Sequence, residues 1–206
     1  MNRGAMSTLR ASIAAACLSL ATLTAACGDG AGEAPPLAGA AIGGPFELTG
    51  ADGQPVRWND FDGRYRMVYF GYAYCPDVCP FDVQRMMRGY NRFKEAEPEL
   101  AAQVQPIFIT IDPARDTPAK VGEFARAFSP ELIGLTGTAE QIDQAAKAFA
   151  VYYSRGPSGP DGEGYLMDHS RAAYLMGRQG EPIALLPVET ADDGEAVAAE
   201  LDKWVS

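Results

Sequence analysis

Two cysteines four residues apart, in Tyr74-Cys75-Pro76-Asp77-Val78-Cys79-Pro80, and a single histidine, His169, carry the reactive chemistry of this chain of 206 residues. The other two of its four cysteines, Cys17 and Cys27, lie near the N-terminus. A thiolate attacks disulfides and binds soft metal ions. An imidazole is a borderline ligand that widens the range of ions and oxidation states a site accepts. Cys75, Cys79 and His169 therefore supply either a three-coordinate soft-metal site or a dithiol redox pair with an imidazole beside it. Zinc with a fourth ligand satisfies the same trio, so ligand types alone leave the metal open.

These residues need elements to bring them together. Tyr65-Arg66-Met67-Val68-Tyr69-Phe70 is an apolar and aromatic run ending at Gly71, which predicts a central strand. The cysteine motif follows at once. Val83, Met86, Met87, Tyr90 and Phe93 then recur at helical spacing, predicting a helix over about residues 80–95. The motif thus sits on a strand-to-helix turn, where a helix N-terminus lowers a thiol pKa and positions four apart share a face. Met86 and Met87 read as core packing on that periodicity.

Downstream, 104–111 alternates as a strand, and Thr117-Pro118 caps a helix whose inner face is Val121, Phe124, Ala125 and Phe128. Leu132 to Leu135 is a short strand, and Thr138 with Gln141 forms a capping box for the next helix. Residues 156–164 read as a polar loop whose glycines and prolines imply mobility before His169. Strands follow at 165–167, 172–176 and 182–186, then a helix over 192–205. An N-terminal β-hairpin around Asp52-Gly53 precedes all of this. The fold class is α/β: a mixed sheet flanked by helices, with that hairpin and a late hairpin carrying His169, similar to the thioredoxin arrangement. Thioredoxin-type reductases leave two residues between their cysteines, whereas three intervene here, which permits a disulfide and widens the bite for a metal. They also place a cis-proline where this chain has His169, and no proline lies between Pro160 and Pro182.

The first 26 residues hold Arg3, Arg10, no acid and a short run rich in Ala, Ser and Thr, the pattern of a secretory signal peptide. Small residues before Cys27 resemble a lipobox, with Thr24 where a large aliphatic residue is usual, so Cys27 is a candidate lipid attachment. Residues 27–44 read as a flexible Gly/Ala/Pro tether, and 45–206 as one domain with one core. The chain carries 17 basic and 27 acidic residues; without Arg3 and Arg10 the balance is 15 against 27, a net charge of −12. That excess and the lack of basic clusters exclude a nucleic-acid partner. No substrate cleft or general acid/base pair is legible, which argues against a hydrolase.

Several stretches together resemble the Sco/SenC family: Tyr69-Phe70-Gly71-Tyr72, the Cys75–Pro80 run, Asp112-Pro113-Ala114-Arg115-Asp116-Thr117-Pro118, and Asp168-His169-Ser170 with Tyr174-Leu175. The likeness covers the domain in order from about residue 45. It implies a thioredoxin-like copper protein acting in cytochrome c oxidase assembly, with Cys75, Cys79 and His169 binding one copper ion, Cu(I) and/or Cu(II). It further implies a copper-binding oxidase subunit as acceptor, with other extracytoplasmic copper chaperones as further candidate partners. Placement on the periplasmic side of a membrane, by a lipid anchor, is the matching expectation. The alternative is a thiol–disulfide oxidoreductase, Cys75 attacking and Cys79 resolving, that reduces the oxidase's copper-site cysteines. Asp77 and Asp168 are candidates to orient the ligands from behind. Asp112, Arg115 and Asp116 read as a structural ion-pair network, and Tyr72 and Tyr74 as packing or docking residues beside the motif.

Overall fold

The computed structural model describes residues 33–158 and 164–206; the expected signal segment and Cys27 lie outside the described residues. Seven strands form one mixed sheet in the order β2-β1-β5-β4-β3-β8-β9. They are β1 (Glu47–Gly50), β2 (Pro55–Arg57), β3 (Tyr65–Gly71), β4 (Val104–Thr110), β5 (Ile133–Thr136), β8 (Ala173–Met176) and β9 (Pro182–Leu186). A separate two-stranded ladder pairs β6 (Tyr153–Ser158) with β7 (Tyr165–His169). The helices are α1 (Val78–Ala96), α2 (Pro98–Ala101), α3 (Pro118–Phe128), α4 (Ala139–Ala148) and α5 (Glu195–Trp204). Among the described residues no helix is long and apolar enough to cross a membrane.

Position in the sheet explains the apolar runs. β3 is parallel to β4 and antiparallel to β8, and every residue of β3 and β4 is buried. Strands covered on both faces need continuous apolar sequence rather than alternation. Tyr69, Phe70, Ile107 and Phe108 are accordingly among the largest fully buried side chains. α1 packs on α5, and the crossing is close at Gly89, where an added Cβ would lie 2.5 Å from Val197. Met86 and Met87 are core, as their spacing predicts. The Thr117 cap on α3 and the reciprocal Thr138–Gln141 box on α4 both form.

Three local expectations change. The stretch expected to be a free tether is laid against the domain over its described part: Leu37 N–H donates to Ile183 O at 3.0 Å and Gly43 N–H to Ala148 O at 2.8 Å. Leu37 and Ile42 pack on the core, so two aliphatic side chains outweigh the surrounding Gly and Ala. The expected polar loop at 156–164 begins instead as strand, because β6 runs to Ser158 against β7: Ser154 faces Asp168, Arg155 faces Met167 and, past a register shift, Ser158 faces Tyr165. Gly156 and Pro157 fall at the register shift, and the pairs on either side carry the strand through them. The cysteine helix starts at Val78, with Pro80 inside its first turn, where its missing N–H costs no hydrogen bond.

Candidate metal centre

β3 ends at Gly71, and the chain turns through Tyr72–Asp77 into α1, which sets the two thiols at different depths. Cys75 lies in the turn and is half-buried; Cys79 lies on the first turn of α1 and is fully buried. Cys75 therefore precedes the helix instead of sharing a helical face with Cys79. Its sulfur lies over the helix start and accepts the Cys79 backbone N–H at 3.4 Å. Both thiols are free. Gly71 makes room: a Cβ there would stand 3.2 Å from Cys79 Sγ and 2.9 Å from the Tyr69 ring.

His169 ends β7 and reaches the same point from the hairpin. Its Nε2 is 3.2 Å from Cys79 Sγ, and its Nδ1 is 2.8 Å from Ser170 O. A carbonyl oxygen only accepts, so Nδ1 carries the proton and Nε2 presents a lone pair to Cys79. Holding the far nitrogen by a carbonyl is how proteins orient a metal-binding imidazole. The rings of Tyr72 and Tyr69 meet the imidazole edge-on, with centroids at 6.0 and 6.3 Å and planes at 87° and 86°.

The thiols differ electrostatically as well. Cys75 is held well below the ordinary thiol range, chiefly because the Cys79 thiol hydrogen-bonds to its sulfur, with the N–H groups of Cys79 and Asp77 adding to the effect. Cys79 is pushed up, first because its proton is shared with Cys75 and second by burial. The metal-free pair is thus an outer thiolate and an inner thiol. Burial pushes the Tyr72 phenol up to about 12, so it remains a neutral hydrogen-bonding group beside Cys75. Among the described residues no group of three or more His, Cys, Asp and Glu side chains is already spaced as a metal cage. The trio is closed on its own hydrogen bonds, and a metal ion would take the place of the Cys79 proton.

Asp77 and Asp168 are both exposed, and among the described residues neither carboxylate hydrogen-bonds to the trio. Asp77 contributes through its backbone N–H. Two other groups, not anticipated as supports, surround the ligands. Asp82, wholly buried on α1, accepts from Tyr69 Oη at 3.0 Å and from Arg171 Nε and Nη2 at 2.9 and 2.7 Å. A lone carboxylate on the apolar stripe of α1, three residues past Cys79, was the sequence signal for it. Arg115 stacks on Tyr165 at 3.6 Å and faces Tyr74 and Tyr72 at 5.2 and 5.7 Å. Its Nε donates to Asp112 Oδ2 at 2.5 Å, while Tyr165 Oη donates to Asp112 Oδ1 at 2.7 Å. Of the ion-pair network expected of Asp112, Arg115 and Asp116, the Arg115–Asp112 pair forms and reaches the hairpin. Asp116 makes no ion pair among the described residues and instead ties the cysteine turn to β4: its Oδ2 accepts the Ala73 N–H at 2.8 Å and the Thr110 hydroxyl at 2.6 Å.

Comparison with known proteins bears on this arrangement. The SCO1/SenC family profile matches residues 34–206. The human mitochondrial SCO1 homolog is 42% identical over 142 residues, 68% of this chain and 46% of that protein. SenC of Rhodobacter capsulatus is 46% identical over 153 residues, 74% of this chain and 64% of that protein. The chain spans about half the length of the first curated relatives it matches. Among solved structures, Arabidopsis thaliana ScoI with copper bound superposes with a TM-score of 0.69 at 34% identity, covering 79% of this chain and 97% of that one.

Proposed function

This chain belongs to the SCO1/SenC family, and from that premise we propose that it is a copper chaperone, holding one copper ion through Cys75, Cys79 and His169. The observation that carries the reading is the Nε2 lone pair of His169, 3.2 Å from the Cys79 sulfur and fixed in that tautomer by Ser170 O. Two sulfurs suit Cu(I), and the added imidazole extends the set to Cu(II). A copper-bound relative at 34% identity supports the choice of metal. Copper is the cargo here. The acceptor in this reading is the copper-binding subunit of cytochrome c oxidase during its assembly, met on the periplasmic side of the membrane, with Cys27 as lipid anchor. What the protein contributes is a half-exposed thiolate that a partner ligand can replace, and an inner pair that keeps hold meanwhile.

A second reading rests on the asymmetry of the thiols. An outer thiolate over a buried thiol is the division of labour of a thiol–disulfide oxidoreductase: Cys75 attacks a partner disulfide, and Cys79 then displaces the partner thiol, leaving a Cys75–Cys79 disulfide. One comparison separates the two. The reduced protein and its His169→Ala variant are titrated anaerobically with Cu(I) against a competing chelator, and both are assayed for exchange with a disulfide peptide of the oxidase copper site. Loss of copper affinity with retained exchange is the expected result. Unchanged copper affinity with lost exchange would overturn the chaperone reading.

A further inference from the structure

His169 belongs to a two-stranded ladder that is separate from the seven-stranded sheet, while Cys79 belongs to α1, which follows directly from central β3. The distance between them therefore depends on what fixes residues 170–172, the link from β7 to β8. Ser170 is bound within the hairpin region: its N–H donates to Tyr152 O at 2.9 Å, and its Oγ accepts the Tyr152 N–H at 3.1 Å. β8 begins its pairing with β3 at Ala173 opposite Tyr69. Between these points stands Arg171, whose guanidinium grips both oxygens of Asp82 at 2.9 and 2.7 Å. A two-point guanidinium–carboxylate fork fixes direction as well as distance. It leads from the residue two after His169 to the residue three after Cys79.

The geometry points to the Asp82–Arg171 fork as the positioning device that seats the His169 imidazole against Cys79. Three features support it. Asp82 has no solvent exposure, so its place on α1 is fixed by the core. Tyr69, which hydrogen-bonds to Asp82 at 3.0 Å, is also the ring against which His169 stands edge-on. Arg171 is held outward of the fork by Glu189 at 3.4 Å, so the guanidinium spans from buried carboxylate to surface. Asp82 and Arg171 touch no reacting atom and act through the histidine. The functional meaning of this device rests on the proposed ligand role of His169; the device itself is testable without metal.

The test uses the metal-free, reduced protein and its Asp82→Asn/Arg171→Met variant, in which both charges go together so that neither is left buried alone. Nuclear Overhauser contacts between the His169 ring and the Tyr72 and Tyr69 rings report the seating. Contacts between Trp58 and Phe149, whose centroids are 5.5 Å apart in the core, report the fold. The expected result is loss of the histidine contacts with the core contacts kept. Retained histidine contacts would overturn the proposal. Should the double variant not fold, Arg171→Lys decides, since an ammonium keeps the charge without the fork: weakened histidine contacts support the proposal, and unchanged ones refute it. A copper arm keeps the two readings apart. In the parent, His169→Ala lowers Cu(I) affinity; in the double-variant background it changes affinity by less than about twofold, because the imidazole is already unseated. Should His169→Ala leave the parent's affinity unchanged, the ligand reading fails, and the ring contacts still decide the positioning.

Discussion

The cysteine half and the histidine half of the site are built differently. Cys75 and Cys79 follow β3, which is paired on both sides over most of its length and buried throughout. His169 ends a hairpin whose strands pair with each other, and which is joined to the domain near the site by side chains: Arg171 on Asp82, and Arg115 on Tyr165. Backbone ladders are spread over many residues and survive most substitutions. A side-chain tie lives in one pair and goes with either partner. The contrast teaches that substitutions far from the trio should move the histidine more readily than the thiols.

The largest expected effect falls on the histidine side. Arg171→Ala leaves the buried Asp82 carboxylate with Tyr69 and, at 3.7 Å, Arg85. Breaking a buried pair costs roughly 3–5 kcal/mol, and the one-third exposure of Arg171 puts this case near the low end, about 3 kcal/mol by urea unfolding. A cost below about 1 kcal/mol would mean that the fork carries no weight. On the cysteine side, Gly71→Ala forces a Cβ toward Tyr69, Phe108 and Cys79 Sγ, at 2.9, 3.1 and 3.2 Å. The expected cost is about 2 kcal/mol by urea unfolding, and Cu(I) affinity should fall, since the sulfur itself is displaced.

A pH series sharpens the cysteine side further. Burial raises the Asp116 carboxyl pKa, partly offset by hydrogen bonds from Thr110 and the Ala73 N–H, and its Oδ1 has no partner. The folded state thus binds this proton more readily than the unfolded chain. The contribution is fully present below the ordinary carboxylate pKa of about 3.9 and is lost as pH rises through the raised value. Asp116→Asn removes this dependence, so its stability relative to the parent should improve with rising pH across that window, by no more than about 1.4 kcal/mol per pH unit. A difference that stays flat with pH would show that Asp116 titrates alike in both states. The smallest effect is expected for Tyr165→Phe, which deletes the hydroxyl bond to Asp112 while leaving the ring between Arg115 and Arg155, at 3.6 and 3.9 Å. About 1 kcal/mol is lost, read as faster amide exchange in β7 with exchange in β3 unchanged.

What could be read in advance follows the same division. The β3 run, the α1 stripe and the caps at Thr117 and Thr138 are local patterns, and each forms where periodicity and side-chain chemistry place it. Cys75, Cys79 and His169 stood out because the chain offers few residues of those kinds, and the structure brings them together. β6 was hidden because Gly156 and Pro157 carry no strand signal, and its pairing with β7 is not written in either segment alone. The docking of Leu37 and Ile42 was masked by the Gly and Ala around them. The Asp82–Arg171 fork joins residues 89 positions apart, and a single sequence shows the two charges without showing that they meet.

The unequal depth of the two sulfurs gives any hand-over a direction in time. A partner approaching this face meets Cys75 first, since Cys79 has no exposed surface. In the proposed chaperone reading, an incoming ligand would replace the outer sulfur while the inner sulfur and the imidazole still held the ion, and the buried Cys79 would let go after Cys75. Under that proposal, burial of one atom would make release sequential, passing the ion through a shared intermediate.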